Sequence, residues 1–148
     1  MDDALYKRAI KFEEGFMGEP YHDSVGNVTI GYGFNLEAIK MPRKVADYWL
    51  QVEIEKREAD LISIFGEFRW ASLLPAQRAA LISMHYQLGA AGFRQFENMI
   101  HCVKQGDMSG ASRACMDSKA ARTPELKARF KRNAEALQTA KVPKEWSE

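Results

Sequence analysis

Glu14-Gly15, followed by Tyr21-His22-Asp23-Ser24-Val25-Gly26-Asn27-Val28-Thr29-Ile30-Gly31-Tyr32-Gly33, is the stretch that decides the fold. Residues of high strand propensity (Val28, Thr29, Ile30 and Tyr32) are interrupted by glycines at 26, 31 and 33. The spacing predicts a small antiparallel hairpin turning at Val25-Gly26-Asn27. Upstream, Leu5, Ala9, Phe12 and Phe16 recur at helical spacing, Asp2 or Asp3 is placed to cap that helix, and Gly15 ends it. Glu14 therefore stands at a helix C-terminus, with Asp23 nine residues later and Thr29 fifteen residues later on the strand side.

Working outward, Pro42 suits the first turn of a long helix reaching about Phe65, with Val45, Trp49, Val52, Ala59, Ile62 and Phe65 along one side. After the Leu73-Leu74-Pro75 break, residues 76–88 read as an apolar helix, and Gly89, Gly92, Gly106 and Pro124 separate two or three more. The expected class is α+β with helices predominating. It comprises an N-terminal catalytic lobe (about 1–41) that holds a small β-hairpin or sheet, a long connecting helix (about 42–65) and a helical C-terminal lobe (about 66–148).

A chain of 148 residues, 46% of them hydrophobic, supports one well-filled core and a single domain over 1–148. Its net charge of +1 gives no global field for binding nucleic acid. Residues 1–41 carry 4 basic and 7 acidic side chains and residues 100–148 carry 10 and 6, a mild asymmetry that reads as solvated surface. Cys102 and Cys115 have neither a CxxC spacing nor histidine neighbours suited to zinc, so free thiols are expected. The start lacks a basic and apolar leader, and no window approaches the roughly 18 apolar residues that cross a bilayer. The expectation is a monomer made in a bacterial cytoplasm, without membrane insertion, metal or organic cofactor.

Two carboxylates and a hydroxyl, divided by a glycine-punctuated hairpin, are the parts needed to protonate a glycosidic oxygen and hold a water against the opposite face of the sugar. At its helix C-terminus Glu14 meets partial negative charge, which favours the protonated form that a general acid needs. Asp23 is the better candidate for the ionised partner, activating water or stabilising an oxocarbenium-like transition state. Thr29 is placed to orient the water. Taken singly, each is an ordinary surface or strand residue. The combination carries the reading.

Glu14-Gly15, Tyr21-His22-Asp23, Gly26 and Thr29-Ile30-Gly31-Tyr32-Gly33 together resemble the active-site region of phage-type lysozymes, glycoside hydrolase family 24. Two further blocks look like the C-terminal lobe of that family: Arg78 through Gly89 with Gly92-Phe93 and Asn98, and Thr123-Pro124 with Arg129 through Arg132. The resemblance covers about residues 3–137. It implies a two-lobed lysozyme-like fold and hydrolysis of the β-1,4 bond between N-acetylmuramic acid and N-acetylglucosamine in peptidoglycan, with inversion preferred. It assigns catalysis to Glu14, Asp23 and Thr29, and substrate contacts to Phe34, Asn35, Tyr86, Gln87 and Asn98. Arg129 or Arg132 would support the acid, pairing with Glu14 or Glu13. It also implies an endolysin that reaches the wall through a lesion made by a holin-type partner.

The chain departs from the family pattern where Phe34 replaces a frequent histidine, where Met99 and Ala114 replace polar substrate-binding side chains, and where Ala120 or Ala121 replaces a tryptophan. Two alternatives stand beside the muramidase. One is a lytic transglycosylase cutting the same bond; the other is a non-catalytic module binding the wall or building a virion.

Overall fold

The computed structural model describes residues 3–147 as two compact units, dividing between Asp47 and Tyr48. The first opens with α1 (Asp3–Glu14). Gly15 ends it as expected, in the left-handed region at φ 66° and with its N–H on the Lys11 carbonyl. Of the two residues expected to cap it, Asp2 lies outside the described residues. Phe16, although in step with the helical spacing, lies beyond the helix and packs instead on Tyr32 with ring centroids 5.4 Å apart.

The predicted hairpin has a third strand. β1 (Met17–His22), β2 (Val28–Gly31) and β3 (Phe34–Asn35) form an antiparallel sheet in that order, with Tyr21 opposite Thr29 and Thr29 opposite Asn35. Strand β1 is irregular between Met17 and Tyr21, where Pro20 has no N–H to give a ladder; an edge strand accommodates this. Gly31 and Gly33, at φ 69° and 75°, reverse the chain a second time and add β3.

Helix α2 (Arg43–Phe65) begins directly after Pro42, whose carbonyl accepts from the N–H groups of Val45 and Ala46. Its buried residues are Leu61 and Phe65, an i,i+4 pair, so the expected stripe is correct only at its end. Val45, Trp49 and Ala59 are exposed or nearly so, and Ile62 is partly buried.

The second unit continues through α3 (Glu67–Ser72), α4 (Pro75–Arg94), α5 (Glu97–Gln105), α6 (Met108–Met116), α7 (Lys119–Arg122) and α8 (Pro124–Thr139) to a 3₁₀ turn at Lys144–Trp146. Four helices thus follow α4 among the described residues, more than the two or three expected. The additional short helix is α7, Lys119-Ala120-Ala121-Arg122, where only Ala121 is buried and no apolar period announces it. Pro75 and Pro124 each open a helix at its first turn. Gly106 closes α5 in a left-handed C-cap. Gly92 is not a separator: it lies inside α4, and the break comes only at Gly89 (φ 73°, ψ 170°).

Leu81, Met84, Phe93, Met99, Val103, Phe130 and Leu137 fill the core of this unit. Each contributes about 1.5–3 kcal/mol by leaving water. Cys115 is buried among them with its Sγ 3.9 Å from Met84 Sδ, and burial pushes its thiol up to about 12. Both cysteines are free, as expected. Among the described residues no helix is long and apolar enough to cross a membrane.

A polar clamp spans the break in α4. Asp60 of α2 accepts from His85 Nε2 before the break (2.6 Å) and from Arg94 Nη1 and Nη2 after it (2.8 and 2.6 Å). The Arg94 hydrogen bonds, helped by His85 and opposed by desolvation, hold the Asp60 carboxyl down at about 2. A carboxylate lowered in the folded state stabilises the fold above its unfolded value near 3.8, and that contribution fades as pH falls toward 2. With the side chain 28% exposed, the full effect is about 1–2 kcal/mol. Urea unfolding of wild type and Asp60→Asn should show that gap at pH 6 and a much smaller one at pH 2.5. A gap unchanged by pH would mean the clamp does not depend on the charge.

Candidate active site

Three elements of the first unit position the candidate catalytic residues. Glu14 is the last residue of α1 and exposed, and its carboxylate makes no hydrogen bond or ion pair among the described residues of its unit. Lys11, one turn earlier, lies 5.4 Å above the Tyr32 ring, and Phe16 packs on the same ring. These contacts fasten the end of the helix to the turn between β2 and β3.

Asp23 sits at the opposite end of β2, in the turn leaving β1. Its Oδ1 accepts from the backbone N–H groups of Val25 (3.0 Å) and Asn27 (2.8 Å), and its Oδ2 accepts from Asn27 Nδ2 (3.3 Å). The backbone closes the same loop, since Asp23 N–H donates to the Asn27 carbonyl and Gly26 N–H to the Asp23 carbonyl. The Asn27 N–H is the main cause holding this carboxyl below its ordinary value; desolvation opposes it, and the Val25 N–H reinforces it.

Thr29 is buried in β2, the central strand, and donates its hydroxyl proton to the Asn27 carbonyl at 3.1 Å. That proton is committed, so the oxygen faces any further partner as an acceptor. Asn27 therefore joins Asp23 to Thr29, a role that sequence reasoning missed. The available signal was the Asp-x-x-x-Asn spacing around Gly26, in which an aspartate side chain captures the N–H groups of its own turn. His22, the neighbour of Asp23, is exposed, with Nδ1 3.4 Å from the Gly26 carbonyl.

Phe34 is exposed in β3, and its ring lies against Gly31, where a Cβ would come within 2.9 Å. Asn35 accepts through Oδ1 from Glu37 N–H at 2.9 Å, so its carbonyl side is engaged in holding its own turn.

In the second unit Tyr86 is exposed on α4, and the Arg57 guanidinium lies 4.4 Å from its ring centroid. Arg57 is held there by the Glu53 carbonyl and carboxylate, at 2.9 and 2.6 Å from Nη1. The neighbouring Gln87 keeps a buried Oε1 without a hydrogen-bond partner among the described residues. Asn98 lines a groove of about 930 Å³ together with Gly92, Phe96, Met99, Ala114 and Ala120. The structure thus puts Ala120 rather than the buried Ala121 on the groove wall. Arg129 donates from Nε and Nη2 to the hydroxyl and carbonyl of Ser83, and Arg132 is partly buried one turn further along α8.

Among the described residues no cluster of histidine, cysteine, aspartate or glutamate could hold a metal ion. Comparison with curated proteins gives no match. The family model described as Phage lysozyme matches residues 11–135, a span that takes in Glu14, Asp23 and Thr29 as well as α2 to α7 and most of α8. The chain belongs to the phage lysozyme family.

Proposed function

We propose that this protein is a muramidase that hydrolyses the β-1,4 bond between N-acetylmuramic acid and N-acetylglucosamine, acting as a phage or prophage endolysin. The contrast between its two carboxyl groups carries the reading. Asp23 is kept ionised by the N–H groups of its own turn, whereas Glu14 is left unengaged among the described residues of its unit. Environments that treat two carboxyl groups so differently suit them to the separate roles of base and acid.

In the proposed reaction Glu14 delivers its proton to the glycosidic oxygen as the C1–O bond breaks, and the bonding pair leaves with that oxygen. Asp23 takes a proton from water, whose oxygen forms the new bond to C1 from the opposite face. Thr29 accepts a hydrogen bond from the same water and fixes its direction. Asp23 and Glu14 are held at opposite ends of β2, a four-residue strand on the order of 10 Å long, which favours the wider spacing of an inverting enzyme. Phe34 and Asn35 of the first unit, and Tyr86, Gln87 and Asn98 of the second, are proposed glycan contacts. Arg129 and Arg132 are proposed supporting residues, and a holin-type partner is the proposed route of release.

The test is digestion of purified peptidoglycan, with soluble fragments identified by mass. Reducing muropeptides are the expected product. Fragments one water lighter would select the transglycosylase, because the muramic C6 hydroxyl would then have replaced water. Wall binding without fragments would select the non-catalytic module.

A further inference from the structure

We infer that Gly33 is a positioning residue for the general acid: its missing side chain is the space in which the Glu14 carboxyl rests. A Cβ added at Gly33 would lie 2.5 Å from Glu14 Oε2 and 3.1 Å from its Cδ. Both distances are inside van der Waals contact, so no residue other than glycine coexists with the carboxyl where it now stands. The inference rests on the reading of Glu14 as the acid and adds how that acid is aimed.

The rest of the neighbourhood makes this contact the one that matters. The Glu14 carboxylate has no hydrogen bond or ion pair among the described residues of its unit, so the usual means of orienting it is missing there. Steric fit supplies the orientation instead. The turn bearing Gly33 is tied to the helix bearing Glu14 through Tyr32, which receives Phe16 on its ring at 5.4 Å and Lys11 Nζ at 5.4 Å. The surface against which the carboxyl lies is therefore anchored to the same helix end. Gly33 also adopts φ 75°, so glycine serves both the backbone reversal and the close approach.

A methyl group at 33 would meet the end of a flexible side chain, which can swing away. The fold would then survive while the acid moved, and a displacement of about 1 Å can cost on the order of 100-fold in rate. The experiment compares kcat and KM on peptidoglycan for wild type, Gly33→Ala, Gly33→Asn and Gly66→Ala. Gly66 also has a positive φ, 84°, with nothing within 4 Å of an added Cβ, so Gly66→Ala carries backbone strain without the collision. Asparagine tolerates the left-handed region better than alanine, so Gly33→Asn keeps the test alive if Gly33→Ala folds poorly.

Expected are a fall of roughly 10- to 100-fold in kcat with KM within about threefold for both Gly33 variants, and unchanged constants per folded molecule for Gly66→Ala. Full kcat in either folded Gly33 variant would overturn the positioning role, as would an equal loss in Gly66→Ala. Wild type that releases no fragments would instead remove the muramidase reading itself.

Discussion

Glu14→Gln should lose turnover by about 1,000-fold or more while melting at nearly the wild-type temperature. The amide matches the carboxyl in shape but has no proton acidic enough to give to a departing sugar oxygen, and general acid catalysis alone accounts for roughly 10²- to 10⁴-fold. Stability should change by no more than about 0.5 kcal/mol, because Glu14 is exposed and its carboxylate is hydrogen-bonded to none of the described residues of its unit. The measurement is fragment release at saturating peptidoglycan together with a thermal melt. A variant keeping a tenth of wild-type turnover would take Glu14 out of the acid role. The comparison with Asp23→Asn is informative for a different reason. Asparagine can still accept from the Val25 and Asn27 N–H groups, so the turn should persist while the charge proposed to draw the proton from water is lost.

The second large effect concerns stability. Phe130 of α8 is fully buried and stacks on Phe96, with ring centroids 6.0 Å apart and planes 22° from parallel. Phe130→Ala should cost about 3–5 kcal/mol, the sum of lost transfer energy and the cavity left behind. Against a total of roughly 5–15 kcal/mol this is a large share. The urea midpoint should fall markedly with an unchanged slope. Phe96 also lines the groove of the second unit, so a loosened ring should reach that surface as well. A loss below about 1 kcal/mol would show that the α8 contact is not part of the cooperative core.

Much of the fold is legible in the chain itself, and for identifiable reasons. Gly15 and Gly26 mark the helix end and the hairpin turn because few other residues tolerate their backbone, whereas the second reversal, at Gly31 and Gly33, adds a strand that the sequence reading does not give. Pro42, Pro75 and Pro124 mark helix starts by the same kind of constraint. What escapes depends on partners distant in sequence. The burial of Leu61 rather than Ala59 on α2 is decided by what packs against it, and periodicity cannot supply that. Gly92 stays helical because nothing at that position demands a positive φ. Glu14 and Asp23 can be picked out as chemical types, but the contact at Gly33 and the link through Asn27 are facts of three-dimensional proximity.

The turn at Asp23 binds its carboxylate mainly through main-chain donors, and this separates tolerance to sequence drift from catalytic importance. Val25, 79% exposed, contributes only an amide that every residue except proline possesses. A saturation library at that position should therefore pass nearly all substitutions and reject proline, so sequence diversity at Val25 is compatible with an undisturbed Asp23 carboxylate two residues away.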